Sequence, residues 1–158
     1  MLIAAIEARG ARRLERDRFS DVFELHDRRI DVPDKVDAPT LEERLGRFDL
    51  ALSAVGVEHG SRGTWRVVID PQAAADVRHR RVSFLKPLVN WRHALASLVR
   101  ARSYAAELGY ELPDDEVAEV WKVFDAQDRE MQLGMIERLV ASGKDADVVL
   151  ADARRRLP

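Results

Sequence analysis

Two runs of apolar residues at helical spacing, on expected helices joined by a connection of only five residues, constrain this chain more than any other feature in it. Leu88, Trp91, Leu95, Leu98, Ala105 and Leu108 trace the first stripe, which stops at Gly109. Val117, Val120, Trp121, Phe124, Met131, Met135 and Leu139 trace the second, opened by Pro113 and Asp114 and closed by Gly143. A connection as short as 109–113 makes its flanking helices antiparallel neighbours, so the pattern predicts a long αα-hairpin over about 88–142. The second stripe thins across 125–130, where the helix is expected to bend or to lie in solvent. A terminal helix over 145–156 follows, with Asp145 as its cap and Arg154, Arg155 and Arg156 opposing the carbonyl end of its dipole.

The β signals are fewer. Trp65 to Asp70 reads W-R-V-V-I-D before Pro71 and is expected to be a buried strand. Residues 21–32 alternate apolar and polar around His26, Asp27 and Arg28, as a hairpin does, although Phe19, Val22 and Phe23 also suit a continued helix. Upstream, 2–17 carry alanine, leucine and isoleucine at helical intervals, interrupted by Gly10. Residues 33–39 hold two prolines and read as a loop. Thr40 with Glu43 forms a capping box, and Leu41, Leu45, Phe48, Leu52 and Val55 continue a helix that Gly56 is expected to stop. A short helix is expected within 72–82. The fold class is therefore mainly α, of the α+β kind, with a small β element at about 21–32 and 65–70. The chain is read as a single domain over 1–158, with an N-terminal subregion at 1–32.

Charge divides this chain unevenly. Between residues 77 and 106 stand Arg78, Arg80, Arg81, Lys86, Arg92, Arg100 and Arg102 with no carboxylate, whereas 107–130 is rich in acids. With Phe84, Trp91 and Tyr104 interleaved, the basic stretch suits phosphate contacts and base stacking. The competing expectation is internal: the basic helix lies against its acidic partner and the charges offset each other, with Trp91 in the core. An acidic protein partner is a third reading. Net charge is only −2, so any attraction to nucleic acid has to be local.

No residue set announces catalysis. The glycine-rich stretch 56–64 carries His59, Ser61, Arg62 and Thr64 and could offer amides to an anion, but it runs from an expected helix into a strand, opposite to the phosphate-binding order. His26, His59, His79 and His93 lack metal spacing, cysteine is absent, and no cofactor or metal is expected. Arg80, Arg81 and Ser83 have a kinase-acceptable form. The apolar opening of the chain is too short for a signal or spanning segment, which leads to an expectation of a cytoplasmic protein from a bacterium or phage.

Arg92-His93-Ala94-Leu95, Leu108-Gly109-Tyr110-Glu111-Leu112 and Asp114-Asp115-Glu116-Val117 resemble the helical region that follows the barrel of isopropylmalate synthase-type enzymes. The barrel and its metal-binding residues have no counterpart in this sequence, so the resemblance implies no activity.

The sequence thus leads to a non-enzymatic interaction or assembly component, acting on a protein partner or a second copy through a helical face that includes Trp121, Phe124, Met131 and Met135, because the second stripe exceeds what one domain needs. The alternative is a nucleic-acid-binding protein using the 78–102 segment. A second alternative is an enzyme or anion-binding protein with its site near 56–64.

Overall fold

Gly10, at φ 86°, ends the first helix three residues after Glu7, and the chain that was expected to stay helical turns into a strand. The computed structural model describes residues 2–16, 20–33, 40–60, 63–143 and 146–157. They divide into two compact units, 1–39 and 40–158.

In the first unit α1 (Leu2–Glu7) precedes β1 (Arg12–Arg16), β2 (Ser20–Leu25) and β3 (Arg28–Pro33), which form an antiparallel sheet in that order. The expected helix over 2–17 is overturned because β1 pairs with β2, with Arg12 opposite Glu24 and their side chains 2.7 Å apart. The hairpin reading of 21–32 holds. His26 and Asp27, at φ 49° and 60°, form the two-residue turn, a conformation that matches the twist of the flanking strands. Phe23, Val32 and Ile6 make the small core. Phe19 and residues 34–39 lie outside the described residues.

The second unit begins with α2 (Leu41–Leu45), where the Thr40 hydroxyl accepts from the Glu43 amide at 3.2 Å. The helix stops at Gly46, well short of Val55. A 3-10 turn (Ala51–Ser53) leads into β4 (Val55–His59), which pairs antiparallel with β5 (Trp65–Ile69). Gly56 is therefore a strand residue, not a helix stop, and 56–59 belong to a two-stranded antiparallel ribbon. β5 exists as expected but is largely exposed rather than buried. Asp70 caps α3 (Pro71–His79) by accepting from the Gln72 amide at 2.8 Å, and α3 ends at Arg80 in the left-handed conformation, φ 53°.

Residues 81–85 then run extended through the interior, with Val82, Ser83, Phe84 and Leu85 buried. A 3-10 turn (Trp91–His93) opens α4 (Ala94–Leu108), which Gly109 closes at φ 63°. The second arm of the hairpin is two helices, α5 (Asp114–Asp125) and α6 (Arg129–Ala141), because Asp128 starts a new helix by accepting from the Met131 amide at 2.8 Å. α7 (Asp147–Arg156) closes the unit; Asp145 lies outside the described residues. α4 packs against α5, α6 and α7 around Phe84, Leu95, Leu98, Phe124, Met135 and Leu139. Each such side chain, fully withdrawn from water, contributes about 2 kcal/mol. The fold is mainly helical with small antiparallel sheets. Among the described residues, no helix is long and apolar enough to cross a membrane.

Candidate functional site

The basic stretch is neither a continuous patch nor a face neutralised by the acidic helices. Three of its cations are ion-paired. Arg81 reaches the buried Asp76 at 2.9 Å, which raises the guanidinium pKa further, and Lys86 reaches Glu116 at 3.1 Å. Arg100 pairs with Asp49. Of these carboxylates only Glu116 belongs to the acid-rich stretch, so the expected pairing of helix against helix is realised at a single residue.

The other four stay in contact with water. Arg78 sits near the end of α3, where its Nε donates to the Ala74 carbonyl at 3.3 Å. Arg80 lies over the Tyr110 ring at 5.7 Å from its centroid, and Arg92 over the Trp91 ring at 5.2 Å. Trp91 is half-buried against the core. Arg102 lies beside a cleft between α4 and α7 and makes no ion pair among the described residues. Arg92 precedes α4 and Arg80 lies beyond its far end; a 15-residue helix puts about 22 Å between them.

Asp49 organises a cleft around Arg100, apart from the other four cations. Its carbonyl accepts from the Leu85 amide at 2.8 Å, which ties it to the extended segment, and its carboxylate accepts from the Leu50 amide at 2.9 Å. The same carboxylate accepts from the Ser97 hydroxyl and from the Arg100 guanidinium. Ser97 and Arg100 stand three apart on α4 and so share a face. These groups line a cleft of about 480 Å3 together with Phe48, Ser53, Asn90, His93 and Ala96. Arg100 Nε is buried and has no hydrogen-bond acceptor among the described residues. A guanidinium anchored to a carboxylate in a cleft that also holds an aromatic side chain has the chemistry to meet a planar ligand with its own donors and acceptors. Sequence reasoning named Arg100 but missed Asp49, which lies 51 residues away and outside the charge split.

The remaining candidates disperse. Trp121, Phe124 and Met135 are buried in the core, and only Met131 of the expected interaction face is exposed. The apolar stripe that looked surplus is consumed by α4 and the extended segment. In the 56–64 stretch, Gly60 and Thr64 close the β4–β5 turn by a 2.8 Å hydrogen bond, an ordinary hairpin arrangement, while Ser61 and Arg62 lie outside the described residues. His59 packs against Trp65, and His26 occupies a turn. The Ser83 hydroxyl is buried, donating to Asp76 at 2.7 Å and accepting from Gln72 at 2.7 Å, so it is closed to a kinase. Among the described residues, no group of three acidic or histidine side chains is placed to hold a metal ion.

No family model and no curated protein matches the sequence. Solved structures do match the fold. A tRNA-processing enzyme with CTP superposes with a TM-score of 0.62 at 11% identity, covering 99% of this chain and 46% of that one. An apo form of a tRNA-processing enzyme gives 0.61 at 13% identity over 99% of this chain and 43% of that one. A tRNA nucleotidyltransferase complexed with a primer tRNA and an incoming ATP analogue gives 0.60 at 13% identity, over 99% and 48%. The chain spans less than half the length of these structures. The expectation of a non-enzymatic assembly component is overturned: its fold is shared with enzymes that act on RNA, and the helical face on which it rested lies mostly in the core.

Proposed function

We propose that this chain is the RNA- and nucleotide-handling part of a tRNA-processing enzyme, working in the cytoplasm. The observation that carries the reading is the fold likeness over 98–99% of the chain to enzymes of that kind, one of them holding a primer tRNA and an incoming nucleotide analogue. The geometry supports it in two places. Arg78, Arg80 and Arg92, which make no ion pair among the described residues, offer cations for a phosphate backbone, two of them stacked on aromatic rings. The Asp49–Ser97–Arg100 cleft offers a fixed donor and acceptor edge for a nucleobase.

The test is fluorescence anisotropy with a tRNA transcript over a salt series. Binding should weaken steeply between about 50 and 200 mM salt, and Arg78→Glu with Arg80→Glu and Arg92→Glu should abolish it. No binding at the low end, or binding indifferent to salt, overturns the reading.

A further inference from the structure

The β4–β5 ribbon has one face covered and one face bare. On the covered face Gly56 lies under the Leu41 side chain, Val68 packs with Leu45, Ala51, Ala54 and Leu85, and Arg66 pairs with Glu58 and Glu42. The register places Val55 opposite Ile69, Val57 opposite Val67 and His59 opposite Trp65, so these six side chains share the other face. That face stands in water: Trp65 is 72% exposed, Val67 60%, Val57 57%, Ile69 51% and Val55 47%.

Soluble chains seldom leave such a surface uncovered. The face is contiguous, carries no lysine, arginine or carboxylate, and amounts to on the order of 500 Å2, the upper range of what a monomer exposes. RNA is a poor occupant, since the face has no cation to meet a phosphate, and the residues of the candidate site belong to other elements. A surface of β-branched side chains with one aromatic pair at its end is complementary to itself under a two-fold rotation. Two such faces together withdraw about 1,000 Å2, the lower bound of a specific protein interface.

We propose that the Val55–Val57–Trp65–Val67–Ile69 face docks on the same face of a second copy of this chain, ribbon against ribbon. The contact is separate from the RNA reading and stands or falls without it. Sedimentation velocity on the full chain without RNA, over a micromolar concentration range, should show a monomer–dimer equilibrium whose dissociation constant rises by roughly tenfold or more in Val57→Lys with Val67→Lys. Circular dichroism reports whether that variant is folded; if it is not, Val57→Thr with Val67→Thr keeps shape and strand propensity and should weaken the dimer several-fold. Trp65 emission should shift to the blue as the dimer forms. A monomer at every concentration, a dimer indifferent to these substitutions, or a monomer in which Trp65 is already shielded overturns the proposal.

Discussion

Glu116 accepts the amide proton of Phe84 at 3.1 Å across 32 residues of chain, while its other oxygen holds the Lys86 ammonium at 3.1 Å. A carboxylate from the acid-rich stretch thus secures buried backbone as well as answering a charge. Glu116→Ala leaves the Phe84 amide without an acceptor and should cost about 2 kcal/mol of stability in urea unfolding. Glu116→Gln retains an acceptor oxygen and should cost less than half of that, which separates the hydrogen bond from the ion pair.

Gly56 is small for a steric reason. A Cβ built there would come within 2.8 Å of Leu41 Cδ1, with two further Leu41 atoms at 3.2 and 3.3 Å. Leu41 is a side chain and can yield, so Gly56→Ala should cost about 1 kcal/mol, and Gly56→Val more despite valine's preference for strands. Leu41→Ala in the same chain should relieve the effect of Gly56→Ala, a coupling that a double-mutant cycle would measure.

The cleft prediction turns on Arg100. Arg100→Met keeps most of the side-chain volume while removing the donors that face Asp49, so the fold should persist while binding of CTP or ATP, read by calorimetry, falls at least tenfold on the loss of charge-assisted hydrogen bonds. Unchanged nucleotide binding would move the nucleotide elsewhere and leave the salt-dependent RNA contacts proposed for Arg78, Arg80 and Arg92 untested by this variant.

Glu42 gives the pH prediction. Its hydrogen bonds to Arg66 lower its pKa below the ordinary 4.5. A carboxylate whose pKa is depressed on folding adds stability above its unfolded value and loses it as pH falls through the folded one. Acidification below pH 4.5 should therefore lower the unfolding midpoint, and Glu42→Gln should remove a small part of that acid sensitivity. The pair is exposed, so salt should shrink the effect as well.

Local signals in the sequence located most helix starts. Thr40 acts as the cap that its place before an apolar run implied, and Gly109 ends α4 as expected, whereas Asp70, read as the end of a strand, caps α3. Asp128 carried the same kind of signal, and reading it would have divided α5 from α6. What stayed illegible depends on partners far away in the chain. Residues 12–16, mostly charged, become a strand only because 21–24 lie beside them, and the helix expected to reach Val55 yields after Gly46 because 49–51 bond to 83–85. The site was half visible: the arginines stood out by type, but which would be claimed by Asp76, Glu116 or Asp49 follows only from folding.

Residues 81–85 have a consequence beyond packing. Their amides donate in turn to the Asp76 carbonyl, the Glu111 carbonyl, the Asp76 carboxylate, the Glu116 carboxylate and the Asp49 carbonyl, at 2.7–3.1 Å. The Arg81 bond caps the C-terminus of α3 and frays with it, whereas the other four reach side chains or backbone of other segments and are not released with any one helix end. In deuterated buffer the amide protons of residues 82–85 should be among the last to exchange in residues 40–158, opening together and at the free energy of global unfolding. The most persistent backbone in this unit is then a stretch with almost no regular secondary structure of its own, and a protease or label that reaches it reports that the whole unit has come apart.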